Sequence, residues 1–125
     1  MKAETAKLLQ RTEDCLSDAE ANFQLDRLIV VVNRSYYCMF DCVRGLLAES
    51  DLQPKSHQGV YVKFNEIFVK EGIFSLEFRD NFRAVFELRQ SGDYDLDFEP
   101  NEENARFAID SASKFLSATK LYLNI

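Results

Sequence analysis

Apolar residues along the chain fall into five runs with helical spacing. Between residues 3 and 23, Leu8, Leu9, Cys15, Leu16, Ala19 and Phe23 recur at helical intervals, with Lys and Glu between them. That periodicity predicts an amphipathic helix with one buried face. The next run, 25–49, is stronger: Ile29, Val32, Tyr36, Met39, Val43 and Leu46 follow a 3-4-3-4-3 spacing, and Val31, Phe40 and Leu47 widen the stripe. So broad an apolar face predicts a helix packed by neighbours on more than one side. Its opening LIVVV has the composition of a strand. No turn signal separates it from the helical pattern that follows, so tertiary packing is expected to override the local preference.

Residues 50–55, SDLQPK, read as a loop, since Pro54 disfavours helix at Gln53. Ser56 is placed to cap a third helix over 57–71, with Val60, Phe64, Ile67 and Phe68 on its apolar face. Gly72 fits a left-handed stop. Ser75 is placed to cap a fourth helix over 76–90, carrying Phe78, Phe82, Val85, Phe86 and Leu88. Gly92 reads as the next breaker and 91–99 as an acidic loop. Pro100 fits the first turn of the last helix, 101–123, whose stripe is Ala105, Ala108, Ile109, Ala112, Phe115, Leu116 and Leu123. Glu102 and Glu103 sit at its positive end, and Lys114 and Lys120 lie nearer its negative end. Five helices with short connections predict an all-α, antiparallel up-and-down bundle, formed by residues 1–125 as one domain.

Composition narrows this further. Hydrophobic residues make up 46% of the 125, enough for a core, and only 4 Gly and 2 Pro argue against a turn-rich β fold. A net charge of −6 disfavours loose adhesion to nucleic acid or acidic lipid. LIVVV lies between Arg27 and Arg34 and is far too short to span a membrane. The charged opening MKAETAKLLQRTED does not read as a signal peptide, so the cytoplasm is the expected location. Cys15, Cys38 and Cys42 have no disulfide-framework spacing. Cys38 and Cys42 share a helix face, and with His57 they offer three metal-ligand types. No fourth ligand is indicated by spacing, so they read as small buried core residues, with neither metal nor cofactor expected.

Three blocks carry a family resemblance: RSYYCMFDCVRGLL at 34–47, KSHQGVYVKFNEIFVKEG at 55–72 and LRQSGDYD at 88–95, followed by ASKFLSATKLYL at 112–123. In order and spacing they resemble the small stand-alone prokaryotic branch of the HEPN family. The resemblance implies a helical bundle that commonly forms homodimers. In many members the dimer joins two polar motifs into a metal-independent endoribonuclease site, built on an Arg followed four to six residues later by a His. It also implies a nucleotidyltransferase partner in toxin–antitoxin operons. Some members instead look like binding or regulatory modules.

Arg89 matches the motif arginine, but Tyr94 stands where a histidine would fall, and the only histidine of the chain is His57 on another predicted helix. Cutting RNA without a metal needs a proton acceptor for the 2′-hydroxyl and a donor for the leaving oxygen. Histidine serves both roles because its ordinary pKa is about 6.5. Tyrosine, near 10, is a base in only about one molecule in a thousand at neutral pH. Asp93 can take a proton, but its charge, with those of Asp95, Asp97 and Glu99, repels RNA.

The candidate corner is therefore Arg89, Asp93 and Tyr94, read either as a degenerate catalytic motif or as a salt-bridged helix joint. Arg34, Tyr37 and Asp41 share one face of the second helix. Arg34 and Tyr37 are candidates for a polar network with His57; the structural alternative is an internal Arg34–Asp93 ion pair. His57, with Lys55, Ser56 and Gln58, reads as an exposed first-turn residue or as a base supplied from another helix. The functional expectation is a HEPN-type module, the small component of a nucleotidyltransferase–HEPN system. It would bind a partner or an RNA- or nucleotide-linked ligand. The alternatives are a dimeric endoribonuclease and a purely structural dimer.

Overall fold

A computed structural model describes all residues 1–125. Five helices follow one another: α1 (Ala3–Gln24), α2 (Leu28–Glu49), α3 (His57–Phe64), α4 (Leu76–Tyr94) and α5 (Glu102–Leu123). There is no strand, and LIVVV opens α2 as helix. Helix α2 is the centre, packing against α1, α3, α4 and α5. Fourteen of its 22 residues are buried, from Val31 to Ala48. Its breadth of apolar surface is the reason, since only enclosure on several sides keeps those side chains out of water.

The main core joins Val32, Tyr36, Met39, Val43 and Leu46 of α2 to Phe64, Phe68, Phe74, Phe82 and Phe115. Those phenylalanines meet in a mix of stacked, tilted and edge-to-face pairs, with Phe64 and Phe115 centroids 5.4 Å apart and tilted, Phe74 and Phe115 stacked at 5.9 Å, and Phe78 edge-on to Phe74 at 5.3 Å. Each such pair adds about 0.5–1.5 kcal/mol beyond area burial. Cys38 and Cys42 are fully buried within this core, and no three metal-ligating side chains gather anywhere.

Several element ends differ from the sequence expectation. Helix α2 begins at Leu28, because Asp26 adopts a left-handed φ of 58° in the turn before it. Ile29 of the expected stripe is therefore on the rim and 45% exposed. Ser56 caps α3 as expected, accepting from the Gly59 amide at 2.8 Å. The α-helical geometry stops at Phe64, however, and one π turn, Asn65–Val69, completes the segment. Gly72 takes the left-handed stop, with φ 78°. Ser75 is the residue before α4, but only its carbonyl is used, accepting from the Phe78 amide at 3.1 Å.

Gly92 does not break α4, which runs on to Tyr94. A side chain at Gly92 would place its Cβ 3.2 Å from Cγ1 of Ile29, so this glycine serves close approach to α2 rather than a turn. Pro100 lies just outside α5. Asn101 is the cap instead, in a reciprocal box with Asn104: each side-chain oxygen accepts from the other's backbone amide, at 2.8 and 3.0 Å.

Two glycines give opposite expectations for one substitution. A Cβ on Gly45, inside α2, would meet Leu8 Cβ and Thr5 Cγ2 at an ordinary 3.8 Å. Gly45→Ala should stabilise by up to about 1 kcal/mol through helix propensity. Gly72 has open space but a positive φ, so Gly72→Ala should cost about 1 kcal/mol or slightly more. Urea melts of the two variants check both signs.

Candidate functional site

Of the polar groups named from the sequence, Tyr37, His57, Arg89 and Asp93 gather around the aromatic rings shared by α2, α3 and α4, while Arg34 and Tyr94 do not. Arg89 comes from the last turns of α4 and is 9% exposed. Its guanidinium lies over three aromatic faces: Tyr36 at 5.0 Å, Tyr37 at 5.6 Å and Phe86 at 5.6 Å. The planar cation can enter this place because ring quadrupoles and a carboxylate offset part of its lost hydration. One nitrogen, Nη1, donates to Asp93 Oδ2 at 3.1 Å and to the Tyr37 hydroxyl at 3.4 Å. The continuation of α4 through Gly92 makes the carboxylate available, because Asp93 is one helical turn beyond Arg89. The Nε of Arg89 is buried without a partner.

The expected Arg34–Asp93 pair does not form. Arg34 turns to the other side of α2, its Nε and Nη2 donating to Asn33 Oδ1 at 3.0 and 2.8 Å and its Nη1 lying 3.8 Å from Cys15 Sγ. It stays linked to the cluster only through the Tyr37 ring, 5.4 Å from the guanidinium carbon. Asp41, on the same face of α2, is wholly buried between Arg11 and Arg44, each at 3.3 Å. Burial pushes its carboxyl above the usual range, and Arg11 and Arg44 oppose that shift. Tyr94, expected beside Arg89, is 77% exposed and makes none of these contacts.

His57 belongs to the cluster, and sequence distance concealed this. As the first residue of α3 it is half-buried, not an exposed first-turn side chain. Its ring stacks on Phe40 at 4.4 Å, and Nδ1 is 2.7 Å from the Tyr36 hydroxyl. Burial pushes the imidazole below its ordinary pKa, and the Arg89 charge pushes it the same way. The Tyr36 phenol is raised, mainly by burial, with Arg89 opposing. At neutral pH the phenol therefore keeps its proton and the imidazole is neutral. The buried hydroxyl has no other acceptor, so the hydrogen-bond network assigns O–H donating to Nδ1 and the ring proton to Nε2. One histidine is thus brought to the arginine, but its lone pair is already in use.

The sequence profile of the HEPN domain matches residues 5–122. The chain belongs to the HEPN family. Two Methanocaldococcus jannaschii proteins, each named "Putative toxin", are similar to it. One is 33% identical over 98% of this chain and 83% of its own length, and the other 32% identical over 96% and 89%. A Thermotoga maritima relative named "UPF0332 protein" is 38% identical over 87% of this chain and 83% of its own length. In this HEPN chain Arg89 is packed inside the bundle, and Asp93, one turn on, supplies its counter-charge.

Two outcomes follow. Asp93→Ala leaves a side chain only 10% exposed without its carboxylate. The loss should be about 2–3 kcal/mol, below the 3–5 of a fully buried pair because Asp93 itself is partly solvated. In an Arg89→Met background the same change should cost under about 0.5 kcal/mol, and a double-mutant cycle by urea melts measures the difference. His57, the only histidine, should titrate by NMR below 6.5, and Arg89→Met should move it upward. Since its folded pKa is depressed, the unfolded chain binds the proton first as pH falls. Stability from this group is full above about 6.5 and declines below it, levelling off once pH passes the folded pKa. His57→Gln should remove that decline between pH 7.5 and pH 5.5.

Proposed function

We propose that this chain is the HEPN component of a toxin–antitoxin-like pair. It acts as a homodimer with a nucleotidyltransferase-type partner and binds an RNA- or nucleotide-linked ligand without cutting RNA. The single observation carrying this reading is the 2.7 Å contact between the Tyr36 hydroxyl and His57 Nδ1; with the hydroxyl donating, as assigned above, it occupies the acceptor nitrogen of the only imidazole. A general base needs a free lone pair within reach of the 2′-hydroxyl. Here Nε2 carries the proton, Tyr36 is held protonated, and Asp93 is committed to Arg89. What remains are donors: the Nε2–H and the outer edge of Arg89. Donors without a base bind phosphate and leave it intact. The names of the two M. jannaschii relatives support the toxin-like assignment. No helix of this chain is long and apolar enough to cross a membrane, which is compatible with the proposed cytoplasmic setting.

The endoribonuclease reading has one observation in its favour, the packing of His57 beside Arg89's aromatic shell. A flip of the Tyr36 hydroxyl, so that Nδ1–H donates to it, would free Nε2 as a base. Incubating the purified chain with total RNA in excess chelator from pH 5 to pH 9 separates the two. The binding reading expects intact RNA at every pH and co-purification of a partner protein with the tagged chain. Chelator-resistant scission that disappears in Arg89→Ala would replace it with the nuclease reading.

A further inference from the structure

The backbones of α3 and α4 stay apart although both helices pack on α2, and only side chains bridge them: Arg83 lies over Tyr61, and Tyr61 and Phe64 each meet Phe82. The gap is a slot whose floor is Tyr36 and Phe82, each 2% exposed, with Tyr61 and Phe86 as its partly exposed walls. Gln58 of α3 and Arg83 of α4 stand at its rim, both exposed. The lining is an aromatic cluster: Tyr36 and Phe82 are near-parallel, 5.8 Å apart with planes 18° apart, and Tyr61 lies 6.1 Å from Phe82, tilted by 42°. The slot has a volume of about 60 Å³. At roughly 10–15 Å³ per water that is room for about four to six waters, the bulk of one flat ring system rather than a whole nucleotide.

The rim chemistry selects the kind of ring. Arg83 reaches across the mouth, its guanidinium 5.7 Å from the Tyr61 ring centre and its Nε 3.3 Å from Glu87 Oε1. With Arg89 behind Tyr36, a cationic guest is repelled, so this is no cage for a quaternary ammonium. A purely aliphatic guest would leave the Gln58 amide and the Arg83 guanidinium unused. A planar heterocycle with hydrogen-bonding edges and a phosphate outside the slot uses all of them. The rings stack on it, Gln58 offers one donor and one acceptor to its edge, and Arg83 meets the phosphate.

We propose that the α3–α4 slot is a nucleobase subsite, in which a single base enters between Tyr61 and Phe86 over Tyr36, read by Gln58 and anchored through its phosphate by Arg83. This deepens the ligand-binding reading above and rests on it. The Tyr36–His57 hydrogen bond lies in the slot's wall, so a seated base meets the same imidazole that borders the Arg89 cluster.

The test uses the full chain and the four ribonucleoside 5′-monophosphates as probes, followed by the His57 ring resonances in NMR titrations, then a single-stranded oligoribonucleotide. Saturable binding with a preference among the bases is expected. Tyr61→Ala should weaken every base by about 5- to 100-fold. Gln58→Leu should flatten the preference while the chain stays folded. Arg83→Ala should weaken monophosphates but leave the corresponding nucleosides unchanged. Failure of all four monophosphates to shift His57 up to millimolar concentration overturns the proposal, as does binding that is indifferent to Tyr61 and Gln58. If the oligonucleotide or a partner protein still binds in those cases, the wider ligand-binding reading survives. Loss of those as well removes both.

Discussion

Helix α2 has to be enclosed, because apolar side chains cover most of its circumference. Water is excluded from it only when α1, α3, α4 and α5 surround it, and the hydrophobic gain of that arrangement dominates the stability of the bundle. The polar residues that α2 does carry are forced to find partners inside. Asp41 is met by two arginines from its sides. Tyr36 finds His57, and Tyr37 finds Arg89. The candidate site is thus the place where the central helix could not be made wholly apolar.

That origin explains why the cluster gathers groups of the kinds used for catalysis and engages each with a neighbour. Each group is engaged by its neighbour: the arginine by rings and an aspartate, though its Nε stays unpartnered, the imidazole by a phenol, the phenol by the imidazole. Burial drives the phenol and the imidazole toward their neutral forms, and Arg89 reinforces this at His57. A base for proton abstraction needs the reverse, an unshared lone pair facing the substrate.

Five helices, their order and the apolar face of each were legible in the chain, because period and breaker residues are local properties. Ser56 and Gly72 did the work their types predict. Gly92 did not: the same residue that stops helices by conformational freedom here admits Ile29 by lacking a side chain, and nothing local separates the two uses. The π turn at 65–69 likewise has no composition signal.

For the site, the sequence by itself determined which residues could carry chemistry. It named Arg89, Asp93, Tyr94, Tyr37, Arg34 and His57, of which Tyr94 proved exposed and outside the cluster, and showed that no histidine follows Arg89 in the turn after it. Only the tertiary structure decided their partners. Arg34 and Arg89 are both arginines aimed from helices toward aromatic rings, and which of them takes Asp93 depends on α4 continuing one more turn. His57 is 32 positions from Arg89 in the chain but is packed into the same aromatic cluster. Helical periodicity specifies the face on which a side chain lies. The crossing of separate helices, set by how their cores interlock, specifies what that face meets.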